Sequence, residues 1–180
     1  MPQYEKAELR KLIDGDMEWS RVQEIMKAPK DDDRFEKWIA LRQEDVGWKE
    51  RILMPLTFKL FIVEKGKDRV VKCECGHEFG DYRVNWKVSA NIFVRDSEAA
   101  LRDVYRGREQ PDSTWQQIRE YYCPGCDAQL EVEAVPRGCP PDFNLLPDLD
   151  TFYRDWLRKP LESEVEFADK TQEVIDGWKK

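Results

Sequence analysis

Four of the five cysteines in this 180-residue chain fall in two short turns, Cys73-Glu74-Cys75-Gly76-His77 and Cys123-Pro124-Gly125-Cys126. Four thiolates drawn from two turns make a tetrahedral S4 donor set. Zinc favours such a set because its filled d shell imposes no competing geometry. Each turn must be tight, with backbone N–H groups aimed at sulfur, so Gly76 and Gly125 are expected to supply positive φ. Pro124 pre-sets φ in the second turn. Cys73, Cys75, Cys123 and Cys126 are therefore the candidate ligands of one structural zinc. Cys-x-x-Cys is a common zinc pattern and Cys-x-Cys a less usual one.

Other chemistries compete for these residues. A disulfide framework suits an oxidising compartment, but the cysteine count is odd. A thioredoxin-like reading of Cys123 and Cys126 calls for a βαβ context, and none is visible around them. Iron in an S4 site stays open on spacing alone. His77, the one histidine, could replace a cysteine as ligand; with four thiolates available, it reads instead as an outer imidazole supporting the site. Cys139 has no spaced partner and reads as a buried loop thiol.

Composition narrows the function classes. A net charge of −7 argues against a nucleic-acid partner, which would select a basic face. No apolar run approaches the roughly 18 residues of a membrane span, and no secretory leader is read at the start. The expectation is a soluble, cytoplasmic protein. No glycine-rich phosphate loop or Gly-x-Ser-x-Gly turn is present. With its one histidine beside the knuckle, a Ser-His or Cys-His pair elsewhere is ruled out. The many Asp and Glu residues read as solvated surface.

The elements that must position the knuckles follow from periodicity. Residues 4–28 read as short amphipathic helices, interrupted at Asp14-Gly15-Asp16 and stopped by Pro29. A third helix follows Asp31-Asp32-Asp33, with Phe35, Trp38, Ile39 and Leu41 on one face. Leu53 to Val63 reads as β, and a hairpin sets Phe58–Val63 beside Arg69–Lys72, ending at the first knuckle. Val84 to Val94 reads as a strand with Trp86, Val88, Ala90, Ile92 and Val94 on one side. A helix is expected over 97–106, with Ala100, Leu101, Val104 and Tyr105 inward. Trp115–Tyr122 is ambiguous: Trp115, Ile118 and Tyr122 fit a helical period, while Ile118–Tyr122 leading into Cys-x-x-Cys fits a strand, the favoured reading, paired across the second knuckle with Ala128–Val135. Pro136 to Pro147 is an irregular connector, a helix follows over Asp148–Leu157, and Glu162–Lys180 is either a solvated helix or a frayed tail. The expected fold class is α+β: a small antiparallel β core with a zinc-ribbon-like site, flanked by N-terminal and C-terminal helices. The expected division is 1–47 as a helical arm, 48–136 as the zinc-binding core, and 137–180 as connector and C-terminal arm.

Beyond the knuckles, several stretches resemble the small, or gamma, subunit family of acetone carboxylases. They are Lys59-Leu60-Phe61-Ile62-Val63, Cys73 to Phe79, Asn85-Trp86-Lys87 with Val94-Arg95-Asp96, and Trp115 with Ile118-Arg119-Glu120-Tyr121 and the second knuckle. Pro29-Lys30-Asp31, Phe152-Tyr153 and Asp155-Trp156-Leu157 add to them. The similarity runs from about Leu12 to Leu157 and leaves out the tail beyond Pro160. It implies a hetero-oligomeric ligase that carboxylates acetone to acetoacetate with bicarbonate and ATP. The nucleotide and ketone chemistry, with a divalent metal, would belong to two large hydantoinase-like subunits, alpha and beta. This chain would be a zinc-bearing accessory subunit without catalytic residues of its own. Two other readings stay open: a gamma-type subunit of an acetophenone carboxylase, and a free-standing zinc-ribbon interaction module.

Overall fold

The structure is a computed structural model and describes residues 4–178; Met1–Gln3 of the expected N-terminal arm and the last two lysines of the expected tail lie outside the described residues. Three helices come first: α1 (Lys6–Asp14), α2 (Trp19–Lys27) and α3 (Arg34–Asp45). Each is too short to be stable alone, and they hold one another through a separate apolar cluster of Tyr4, Leu9, Ile13, Ile25 and Leu41.

Two antiparallel sheets follow. The first has the order β1 (Ile52–Pro55), β2 (Leu60–Lys65), β3 (Asp68–Cys73) and β4 (Glu78–Asp81). The second has the order β5 (Asn91–Arg95), β6 (Gln116–Tyr122) and β7 (Gln129–Pro136), with α4 (Glu98–Tyr105) between β5 and β6 in sequence. The apolar run expected as a single β stretch is thus two strands. Pro55 can end β1 because an edge strand needs no donor on its open side. Phe58 falls in the intervening turn, and pairing starts at Leu60 opposite Cys73.

The strand expected over Val84–Val94 is shortened to β5. Asn85 accepts a hydrogen bond from the Lys87 backbone N–H at 3.1 Å and starts a 3-10 turn over Trp86–Ser89. Adjacent Trp86 and Lys87 are both buried, Trp86 in the main core and Lys87 in a polar network with Glu131 and Glu133. In α4, Leu101 is buried but Val104 is exposed, contrary to the inward face expected for both. Acidic residues also depart from the solvated reading. Asp31 is buried beside Arg34 and Lys37, and Glu120 is buried beside Arg95 and Tyr122.

The main core joins both sheets. Leu53, Leu60, Ile62, Val71, Phe79 and Trp86 meet Tyr121 and Cys123 of the second sheet side and Leu149 and Tyr153 from the C-terminal region. There, α5 (Leu149–Thr151) widens into a π turn over Phe152–Trp156. The Tyr153 hydroxyl donates to the Leu53 carbonyl at 2.7 Å inside the core. The tail folds back along the first sheet: Arg69 bonds Asp150 at 2.8 and 2.5 Å and the Ser163 carbonyl at 2.6 Å, and α6 (Thr171–Trp178) ends it without burying a residue.

Candidate metal centre

The first knuckle is the turn between β3 and β4, and the second is the turn between β6 and β7. Each sheet therefore contributes one pair of cysteines. In the first knuckle, Cys73 donates its N–H to the His77 carbonyl at 2.8 Å, and Gly76 donates to the Cys73 carbonyl at 2.8 Å. Gly76 sits at φ 98°, a conformation that a Cβ would oppose. The turn is braced from outside. The Trp48 indole N–H donates to the Cys73 and Glu74 carbonyls at 3.2 Å each, and the Glu74 N–H donates to the Lys59 carbonyl at 2.9 Å.

The second knuckle uses different local chemistry from that expected. Gly125 is not in the left-handed region; Asp127 is, at φ 54°. Gly125 is needed for space instead: an added Cβ would lie 2.8 Å from the His77 Cβ. Its N–H points at the Cys123 sulfur at 3.4 Å, and Asp127 donates to the Cys123 carbonyl at 2.9 Å.

Together the turns bring the sulfurs of Cys73, Cys75, Cys123 and Cys126 within 4.8 Å of one another. Cys73 and Cys126 are 3.9 Å apart, and Cys75 and Cys123 are 3.7 Å apart. Zinc–thiolate bonds of about 2.3 Å give a tetrahedral edge of about 3.8 Å, so both the donor set and the separations fit one such ion. Cys73 and Cys123 are buried, whereas Cys75 and Cys126 are exposed. Burial pushes the Cys73 and Cys123 thiols up from the ordinary cysteine value. Burial also acts on Cys75, but the His77 backbone N–H and the neighbouring thiols outweigh it and leave that thiol below the ordinary value. A bound cation would hold all four as thiolates, so loading must release protons.

His77 lies outside the sulfur cluster. Its ring meets Phe79 edge-on at 5.0 Å, Phe79 meets Trp86 at 5.9 Å, and Trp86 meets Tyr121 at 5.8 Å. This aromatic chain runs from the first knuckle to the second sheet. Cys139 is exposed, not buried as expected; its carbonyl, which accepts from Arg119 at 2.8 Å, is the part that packs.

The sequence reading missed two supports of the site. Trp48 marked only a change of character along the chain. Lys87, fully buried, is bound by Glu131 at 2.9 Å, by Glu133, by the Asn144 side-chain oxygen at 2.7 Å and by the Asp142 carbonyl at 3.1 Å. It ties β7 and the proline-rich connector to the 3-10 turn. A lysine between Trp86 and Val88 was the available signal.

A family model described as acetone carboxylase gamma subunit matches residues 46–157, a span that holds both knuckles and Trp48. The chain is 37% identical over 160 residues to the acetone carboxylase gamma subunit of Xanthobacter autotrophicus (strain ATCC BAA-1158 / Py2), covering 88% of this chain and 95% of that one. It belongs to the acetone carboxylase gamma subunit family. This gamma-family chain is also 31% identical over 80 residues to the acetophenone carboxylase beta subunit of Aromatoleum aromaticum (strain DSM 19018 / LMG 30748 / EbN1), covering 43% of this chain and 62% of that one. The acetophenone relative is thus a beta subunit, where the resemblance had suggested a gamma-type one. Among the described residues, no helix is long and apolar enough to cross a membrane.

Proposed function

We propose that this chain is the zinc-bearing small subunit of an ATP-dependent acetone carboxylase in the cytoplasm, which converts acetone and bicarbonate to acetoacetate. The similarity to an acetone carboxylase gamma subunit over 95% of that chain carries the reading. Cys73, Cys75, Cys123 and Cys126 would hold the zinc. Four thiolates leave no open coordination position, so the ion would be structural, fastening one sheet to the other. Iron would fit the same sulfurs and is told apart by its visible absorption.

In this reading the chain divides into a helical arm over 1–47, a zinc-binding core over 48–136 and a connector with C-terminal arm over 137–180. Catalysis, ATP and a further divalent metal would reside on the large alpha and beta subunits, and nucleic acid would play no part. The sequence supports this division of labour, because it offers no phosphate loop and its one histidine stands beside the knuckle.

The test is reconstitution. The large subunits are expressed with and without this chain, and ATP-dependent incorporation of labelled bicarbonate into acetone and into acetophenone is measured. The expected outcome is carboxylation of acetone that requires this chain, and none from this chain alone. Full activity and unchanged assembly without it would overturn the subunit reading in favour of an independent zinc-ribbon module. Incorporation into acetophenone instead would move the substrate assignment to the aromatic ketone.

A further inference from the structure

The two sheets leave four strand edges, β1 and β4 on the first and β5 and β7 on the second. An edge strand offers a row of main-chain N–H and C=O groups to any other strand, and proteins that stay apart guard such rows with proline, charge, short length or cover. Three of these edges are guarded. β1 ends at Pro55 and is met by α3, whose Gln43 side chain accepts the Ile52 N–H at 2.9 Å. β4 has only four residues, with an acid at each end and Gly80 at φ 98° inside it. β7 carries Glu131 and Glu133 and closes on Pro136.

β5 has none of these guards. Asn91-Ile92-Phe93-Val94-Arg95 contains no proline, glycine, lysine or acid, and among the described residues it is the one strand with four consecutive exposed positions. Ile92, Phe93 and Val94 are 41%, 49% and 40% exposed. Alternation puts Ile92 and Val94 on one face and Phe93 on the other, so water meets apolar side chains on both faces of the same edge. On its outer side β5 has no strand partner among the described residues. The other exposed aromatics of this chain stand on helices, turns or the tail, whereas Phe93 lies in an apolar row beside open main chain. Such an edge selects an extended strand as its occupant.

The residues that come to stand opposite one another decide which strand. Antiparallel pairing about a twofold axis sets each residue against its counterpart counted from the other end. With the axis at Phe93 the full strand overlaps: Phe93 meets its own copy, Ile92 meets Val94, and Asn91 meets Arg95. No like charges are opposed, and both faces gain apolar contact. Pairing with β1, β4 or β7 of another copy would instead meet the guards described above. The charges bordering the edge are neutralised within the chain, Arg95 by Glu120 at 2.6 Å, Asp96 by Arg137 at 3.2 Å and Arg102 by Glu98 at 3.9 Å. The net charge of −7 is therefore not concentrated here, and its remainder is screened beyond about 8 Å at physiological salt. We propose that β5 pairs with β5 of a second copy of this chain, joining their three-stranded sheets into one. The pairing does not depend on the subunit reading above.

The test uses the full-length chain by itself, followed by sedimentation over a concentration series, with metal content and circular dichroism reporting folding. A contact of this length buries little surface, so the pair is expected at the weak end of specific interfaces. Amide exchange over Asn91–Arg95 should slow as the concentration rises. Phe93 lies outside the core. Phe93→Lys sets like charges across the axis and is expected to weaken the pair by roughly 30-fold, and Phe93→Glu should do the same. An equal mixture of the two variants sets Lys against Glu and should recover the pair, which happens only where this residue faces its own copy. Trp19→Ser, which removes an exposed ring on α2, should change nothing. A chain that stays monomeric at every concentration overturns the proposal. So does self-association that both charge variants keep, because the contact then lies elsewhere. Loss in each variant without recovery in the mixture shows that Phe93 faces a different surface and overturns it as well. Retention of a co-expressed large carboxylase subunit that falls with either variant, while the free chain stays monomeric, assigns the edge to a strand of that subunit and overturns the pairing.

Discussion

An added Cβ at Gly125 would stand 2.8 Å from the His77 Cβ and 3.2 Å from its Cγ, so the two knuckles touch at these residues as well as through sulfur. His77 cannot give way by rotating its ring, because the nearer contact is to Cβ. Gly125→Ala should push the knuckles apart, cost about 1–3 kcal/mol as overpacking does, and speed metal loss to a chelator. The double change Gly125→Ala with His77→Gly should recover most of the loss. Equal chelator rates for Gly125→Ala and the unsubstituted chain would mean that the contact relaxes freely. At this scale the cysteine spacing was sufficient to find the sulfur cluster, because ligand geometry is local to each turn. The reason for Gly125 was not legible, since it lies in a residue some fifty positions away in sequence. Neither was the exposure of Cys139, which depends on how the connector packs.

Helices with one apolar stripe were readable from their period: α1 to α3 stand where helical spacing put them, the β2–β3 hairpin was legible from its β-forming residues and turn, and β6 from its run into the second knuckle, since Trp115, Ile118 and Tyr122 also fit a helical period. The failure at 84–94 has a specific cause. An Asn side chain capping its own turn competes with the strand ladder, and a lysine buried in a polar network looks the same in sequence as one in water. The clasp between β3, α5 and the tail was equally hidden, because Arg69 and Asp150 are distant in sequence. Asp150 is held below the ordinary carboxylate value: burial works against this, but the two Arg69 bonds and the Val165 N–H at 3.0 Å prevail. A depressed carboxylate stabilises the fold fully above its unfolded value, near 3.8, and that contribution is lost as pH falls through the lower folded value. Asp150→Asn should therefore remove part of the stability at pH 7, and the difference from the unsubstituted chain should shrink as the pH falls below about 4. Thermal melts across this range decide it; a constant difference down to pH 2 would show that the loss is steric.

The whole molecule is two sheets of unequal anchoring. The first supplies most of the main core, and the second reaches that core with only Tyr121 and Cys123 among its fully packed residues, helped by partly buried Ala90 and Leu130. Besides these core contacts, the aromatic run from His77 to Tyr121 and the four sulfurs join them. Binding of a structural zinc is coupled to folding by roughly 10 kcal/mol or more in small metal domains. The large apolar contribution of the first sheet should make it less dependent on that coupling. With zinc bound as proposed, removing it with a chelator should therefore release the second sheet first. Amide hydrogen exchange over Gln116–Pro136 is expected to accelerate at least tenfold more than over Leu60–Cys73, where β2 and β3 pair along their full length. Cys126→Ser should reproduce the pattern without a chelator, since it removes one thiolate from an exposed position and leaves the core packing intact. Equal acceleration in both sheets would mean that the ion holds up the entire core, and no acceleration would mean that the side-chain contacts between the sheets suffice without it.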